Sequence, residues 1–211
     1  MRDAREAKEI VAAGYDRIAE RYAAWAMGVR VEERAHYTQL ILDALPAGAA
    51  VLELGCGGGL PTTQQLAEKF VVTGADLSPR QIALARQQVP AAIFIHADMT
   101  TLAFPPATFA AVVAFYAITH VPREEHAALL ANIASWLRPD GLFVAAMGAR
   151  ETTDAVEEDW LGAPMYFSHY NAEVNRRLVM DAGLSILSAR EEIADEDGKP
   201  ATFFWIVACK A

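Results

Sequence analysis

The chain has 211 residues, 54% hydrophobic and 21% charged, with a formal net charge of −9 and a mean hydropathy of +0.16. That composition excludes a disordered polymer and suits one domain with a sizeable core. Eighteen basic residues against 27 acidic ones give no electrostatic footprint for nucleic acid. No apolar run reaches the roughly 18 residues of a membrane span, and the first nine residues are too charged for a secretory signal. The two cysteines, Cys56 and Cys209, make no disulfide framework. We therefore expect a cytoplasmic protein, monomer or homodimer, whose partner is neither nucleic acid nor membrane.

In chain order, residues 3–21 and 31–45 read as helices joined around Trp25–Gly28. Short, almost uniformly apolar runs at 50–54, 70–75, 92–95, 109–115 and 142–147 then read as strands buried on both faces. Helical spacing lies between them at 62–69, 79–88 and 123–137, with Ser78-Pro79 as a helix start and Arg138-Pro139-Asp140-Gly141 as a turn. After Met147 the order changes. A mixed segment runs to Tyr170, followed by a helix at 172–182 and strands at 184–192 and 201–209. The turn Asp195-Glu196-Asp197-Gly198 makes those last two an antiparallel hairpin. The pattern predicts a single α/β domain, a doubly wound Rossmann-like sheet that is mostly parallel with a C-terminal antiparallel hairpin.

The sharpest motif is Glu53-Leu54-Gly55-Cys56-Gly57-Gly58-Gly59, where a buried strand runs straight into a glycine turn and then a helix. Glycines permit positive φ and close approach of a ligand to the backbone, and the amides of the helix start suit an anionic group. A dinucleotide fingerprint would place glycine or alanine where Leu60 stands. Glu53 is the second departure, because a buried carboxylate needs a partner such as a bound ammonium group. Asp76 ends the next strand, where a carboxylate can accept both ribose hydroxyls, although a nicotinamide enzyme would use the same position.

The run Glu53-x-Gly55-x-Gly57-x-Gly59 resembles motif I of the class I S-adenosylmethionine-dependent methyltransferases, and the resemblance covers about residues 50–150. It implies S-adenosyl-L-methionine as methyl donor and S-adenosyl-L-homocysteine as product. Asp76 would be the ribose acid, Leu77 would pack on the adenine, Asp98 would lie near its amino group, and Met99 would supply a backbone donor. Phe115 would contribute backbone contacts. The stretch from Tyr15 to Tyr22 is similar to the family's N-terminal segment, a helix folded over the donor as a lid. An amphipathic core stripe would give the same spacing. On this reading residues 1–45 are a helical lid, 46–150 the donor-binding core, and 151–211 the substrate wall and closing hairpin.

The exit of the fourth apolar run, Phe115-Tyr116-Ala117-Ile118-Thr119-His120, lies where such sheets bind ligands. Tyr116 and His120 are placed to face the acceptor, and the sequence used on nucleobase or amide nitrogens is absent. Methyl transfer is a displacement at a sulfonium, so alignment dominates and a base helps a weakly acidic acceptor. His120 and His169 are the candidate bases, whereas His36, His96 and His126 read as framework or surface. Two aromatic clusters frame the acceptor: Tyr15, Tyr22 and Trp25, and the segment from Trp160 with Met165, Tyr166, His169 and Tyr170. They suit a small aromatic or hydrophobic acceptor methylated on oxygen or nitrogen. No metal-ligand spacing occurs, and the acidic run Glu157-Glu158-Asp159 reads as a solvated face. A nicotinamide-dependent oxidoreductase and a non-catalytic protein that only binds S-adenosylmethionine are the competing readings.

Overall fold

In a computed structural model describing residues 2–196 and 198–211, the chain opens with helix α1 (Ala4–Ala26), capped by Asp3, whose side chain accepts from the Arg5 amide. The helix is longer than the 3–21 stretch expected, because nothing breaks it before Gly28. Trp25 therefore stands on its last turn rather than in the joint. Arg30 makes the joint in a left-handed conformation, φ 54°, and α2 (Val31–Ala44) follows.

The Rossmann-like α/β alternation comes next: β1 (Ala50–Leu54), α3 (Thr62–Ala67), β2 (Val71–Asp76), α4 (Pro79–Gln88), β3 (Ile93–His96), β4 (Phe109–Phe115), α5 (His126–Trp136) and β5 (Leu137–Gly148). Ser78 caps α4 as its position before proline predicts, its hydroxyl accepting from the Gln81 amide at 3.1 Å. The expected helix at 123–137 starts instead with a 3₁₀ turn, Arg123–Glu125. The turn at 138–141 lies inside β5 as a bulge. The register there passes from Phe109 opposite Leu137 to Ala111 opposite Leu142, with Asp140 at φ 61°.

Beyond β5 come β6 (Thr152–Trp160), β7 (Ala163–His169), α6 (Ala172–Asp181), β8 (Leu184–Glu196) and β9 (Lys199–Lys210). The segment up to Tyr170, expected to be mixed, is a separate two-stranded antiparallel sheet of β6 and β7. Its turn is Leu161-Gly162, at φ 52° and 94°, the two positive values that a tight hairpin requires. The main sheet has seven strands in the order β3-β2-β1-β4-β5-β9-β8. Its first five strands pair in parallel and β9 pairs antiparallel to β5 and β8, closing the sheet with the expected hairpin. Asp197, in the turn expected there, lies outside the described residues.

Alternation along the central strands splits the core between two faces. Leu52, Leu54, Val112 and Ala114 pack toward α5 and α6, and Val51, Ala111 and Val113 toward α2 and α3. The third apolar cluster matters most to function: Ala7, Val11 and Ile18 of α1 bury against Ala163, Met165 and Tyr166 of β7. Gly14 makes that approach close, since a Cβ there would lie 2.6 Å from the Pro164 carbonyl oxygen and 2.8 Å from Met165 Cε. Gly14→Ala should therefore lose stability, because about 1–3 kcal/mol of overpacking outweighs the roughly 1 kcal/mol of better helix propensity. Urea denaturation checks this, and an increase in stability would contradict so tight a seat.

Candidate functional site

The glycine turn after β1 is held open by backbone geometry. Gly55, Gly57 and Gly59 sit at φ 72°, 52° and 86°. The Gly55 and Cys56 amides both donate to the Ala75 carbonyl at the end of β2, at 2.8 and 3.1 Å. Asp76 ties the turn to the next loop: Oδ2 accepts from the Gly57 amide and Oδ1 from the Ser78 amide, each at 2.9 Å. Burial raises its pKa, and those two amides pull it back. The carboxylate keeps free lone pairs toward a cavity of about 70 Å³.

That cavity gathers most of the expected donor residues, whereas Gly59 does not line it and packs against Ala85 and Val89. Gly55, Gly57, Asp76, Leu77, Asp98, Met99 and Phe115 line it from the sheet side, and Tyr15 and Tyr22 of α1 cover it. Asp98 carries a partner that the sequence did not suggest. Lys8 of α1 lies 2.7 Å from Asp98 Oδ2 and 2.6 Å from Glu125 Oε2, and donates to Thr100 Oγ1 at 2.9 Å.

Glu53 borders a second, smaller cavity of about 40 Å³ with Arg34, Tyr22, Gly58 and Tyr116. It is 4% exposed, and its Oε2 accepts from Thr63 Oγ1 at 2.5 Å. Burial pushes its pKa up to about 8, against the opposing pull of the Thr63 hydroxyl and the Arg34 charge. A buried carboxyl with this setting suits an incoming ammonium group. Together the two cavities offer Glu53 for an amine, Asp76 for hydroxyls, and Leu77 and Met99 for an apolar ring. The tail, ribose and base of S-adenosylmethionine fit that donor set.

The largest of these cavities, about 440 Å³, lies on the other side of α1's aromatic face. Tyr15, Tyr22 and Trp25 meet Trp160 and Phe167 of the small sheet there, and Tyr116 and Phe203 form the far wall. The rings brace one another: Tyr15 and Tyr22 are 5.0 Å apart edge-on, and Trp25 and Trp160 are 5.9 Å apart. Tyr22 and Tyr116 border all three cavities. Tyr116 holds a left-handed backbone at φ 63°, the kind of local strain that accompanies functional loops.

Tyr15 and His120 border both the 70 Å³ and the 440 Å³ cavities. His120 is buried, and its Nδ1–H donates to the Tyr166 carbonyl at 2.8 Å. That bond assigns its lone pair to Nε2, which accepts from the Tyr15 hydroxyl at 2.9 Å. Burial pushes its pKa down to about 4, so the ring is neutral at pH 7. His169 stands at the rim of the large cavity only, its Nδ1 2.7 Å from the Arg150 carbonyl, with a pKa lowered by burial.

Three expected wall residues lie elsewhere. Met165 is fully buried against α1 beneath Gly14, and Tyr166 is buried in the same cluster with only its carbonyl serving the site. Tyr170 lies under the Arg123 guanidinium and edge-on to His126. Met165, Phe167 and His169 share one face of β7, and Phe167 and His169 reach the cavity while α1 at Gly14 covers Met165. Sequence reasoning missed Lys8, Arg34 and the wall role of Phe203. Arg34 was detectable as a charge in the buried stripe that includes Tyr37, Thr38 and Ile41 on α2. Phe204 and Trp205 are core, and Glu157, Glu158 and Asp159 are exposed.

The Glu53 shift gives a signed pH effect. A carboxyl raised in the folded state contributes stability that is fully present below about pH 4.5 and lost as pH rises through about 8. Between pH 5 and pH 8 the wild type should lose stability relative to Glu53→Gln. Paired thermal melts test this, and parallel curves would refute the burial of an ionising group.

Residues 51–141 match the methyltransferase-domain family. The chain is 34% identical over 109 residues to 2-methyl-6-phytyl-1,4-hydroquinone methyltransferase of Synechocystis, covering 50% of this chain and 34% of that protein. It is 36% identical over 107 residues to a ubiquinone biosynthesis O-methyltransferase of Xylella fastidiosa, covering 48% and 43%. The chain spans a third to a little over half the length of the curated relatives it matches. In fold it matches the Burkholderia thailandensis 1,6-didemethyltoxoflavin-N1-methyltransferase with a TM-score of 0.73 at 17% identity, covering 100% of this chain and 91% of that one. Among the described residues no helix is long and apolar enough to cross a membrane, and no three His, Cys, Asp or Glu side chains are grouped to hold a metal ion.

Proposed function

We propose that this chain, whose residues 51–141 match the methyltransferase-domain family, transfers a methyl group from S-adenosylmethionine to a small aromatic or hydrophobic molecule. The observation that carries the reading is the junction of the three cavities. Two are lined by residues expected of a donor site, the third is walled by aromatic rings, and Tyr22 and Tyr116 border all three. When bound, the donor supplies an electrophilic methyl on a sulfonium. With Asp76 holding the ribose and Glu53 the tail, Tyr22 and Tyr116, which border all three cavities, would offer aromatic faces to the sulfonium.

The work left to the protein is alignment, exclusion of water and removal of one proton. The aromatic walls hold a flat acceptor against the donor side, where a correct approach is worth several orders of magnitude in rate. A hydroxyl or amine that reaches His120 Nε2 in place of the Tyr15 hydroxyl loses its proton there as the new bond forms. The Tyr166 carbonyl holds Nδ1 and stabilises the charged ring that results. His169 sits at the rim without reaching the donor cavity, which suits contact with the acceptor more than proton transfer. Oxygen or nitrogen methylation fits this geometry equally. The family match and the names of the quinone-type relatives support the assignment to small-molecule acceptors.

Donor carrying a radiolabelled methyl group, incubated with the protein and a fractionated cell extract, should label the small-molecule fraction. Asp76→Ala should abolish that transfer together with donor binding. No transfer despite tight donor binding would favour a protein that binds the donor without catalysis. With the acceptor isolated, His120→Gln should lower kcat by about 10²-fold or more, a loss much larger than any change in donor affinity. His169→Ala should raise KM for the acceptor. An unchanged kcat in the first variant would remove His120 from the chemistry.

A further inference from the structure

His120 and His169 both border the aromatic cavity, and the fold holds them in the same tautomer. His120 Nδ1–H donates to the Tyr166 carbonyl at 2.8 Å, and His169 Nδ1–H donates to the Arg150 carbonyl at 2.7 Å. A carbonyl can only accept, so each bond fixes a proton on Nδ1 and leaves the lone pair of the neutral ring on Nε2. Burial lowers both pKa values, which keeps both rings neutral at pH 7. Gly148 makes room for the second ring: a Cβ there would stand 2.1 Å from His169 Nδ1 and 2.4 Å from its Cγ. With that edge of the ring against the end of β5, the opposite corner, Nε2, is left to the cavity.

Strand β7 sets the spacing between the two rings. His120 lies against Phe167, with ring centroids 4.8 Å apart. His169 follows Phe167 on the same face of the strand, about 7 Å further along. One aromatic ring, or two fused ones, spans a gap of that order. The Tyr15 hydroxyl shows what such an Nε2 takes, since it donates to His120 at 2.9 Å. His169 Nε2 receives no O–H or N–H donor from the described residues. Two neutral lone pairs along one wall make a receptor for a molecule that brings two hydrogen-bond donors. We propose that His169 determines specificity: its Nε2 accepts from a second O–H or N–H group of the acceptor while the first lies at His120, so the site selects flat molecules carrying two such donors. This deepens the function proposed above and rests on its reading of the cavity as the acceptor's place. A molecule with one donor leaves a lone pair without its partner in a cavity walled mostly by aromatic rings, and binds less well for that reason.

Binding without turnover reads a preference for two donors over one. Hydroquinone, resorcinol and naphthalene-2,6-diol hold their hydroxyls at three different separations, and phenol or 2-naphthol is the same ring with one donor. Calorimetric titration of the full chain, with and without S-adenosylhomocysteine, gives the ratio of affinities for each pair. At least one diol should bind about tenfold or more tightly than its one-donor counterpart, and the diol that responds gives the donor spacing. A second hydroxyl makes a ligand more polar, so burial of apolar surface alone would favour the opposite order. His169→Phe keeps a flat ring and removes the lone pair, and should bring the ratio to one or below. His169→Ala should do the same, and decides the matter if the phenylalanine variant does not fold. A merely structural His169 would weaken both members of a pair alike and leave the ratio unchanged. The proposal is overturned if the wild type prefers no diol, or if the preference survives both substitutions. S-adenosylhomocysteine titrated alone tests the donor reading separately: failure to bind would refute the function proposed above, and the diol ratio would still decide the role of His169.

Discussion

The site depends on how closely α1 lies on β7. A helix carrying Lys8, Tyr15, Tyr22 and Trp25 forms the cover of the 70 Å³ cavity and one wall of the aromatic one. Nothing in the parallel sheet would hold it there. The seat comes from the apolar cluster of Ala7, Val11 and Ile18 with Met165 and Tyr166, and from the missing side chain at Gly14. Lys8 adds a polar clasp at the other end, joining α1 to Asp98 and Glu125. Ser78 adds another in the middle, its hydroxyl donating to Asp16 of α1 at 2.5 Å. A single seating decision therefore positions residues from five separate stretches of chain.

Given that seat, the site's electrostatics follow from burial. In a low-dielectric interior each charge must find a partner, shift its pKa or wait for a ligand. Asp76 finds two amides and Arg30 finds two carboxylates. Glu53 shifts, with a single hydroxyl for company. Arg34 keeps its charge and donates to the Ala26 carbonyl. His120 shows the neutral version of the same logic: two hydrogen bonds set its tautomer and burial keeps it uncharged.

Much of this was legible beforehand, for identifiable reasons. Parallel strands buried on both faces are nearly continuous apolar runs, so β1 and β4 appear in the sequence at the bounds they have in the structure. The glycine turn, Glu53, Asp76 and Asp98 follow successive strand ends, and strand ends in one parallel sheet converge on one edge. The residues expected of a donor site could therefore be placed along one edge of the sheet from the sequence. The small sheet of β6 and β7 could not, because its turn is Leu161-Gly162 rather than a strong turn pair, and its strands mix exposed acids with buried aromatics.

What the sequence determined by itself is local chemistry: which strands are buried, where the backbone needs glycine, and which carboxylates stand at strand ends. The tertiary structure alone decided which side chains meet. Met165 and Phe167 are two residues apart and on a sequence reading equally good walls, but only the packing of α1 claims the first for the core and leaves the second to the cavity. Arg30 and Arg34 read alike until the fold brings Glu196 to one and not to the other. Contacts between distant segments follow from the closeness of packed surfaces, and no spacing along the chain encodes that distance.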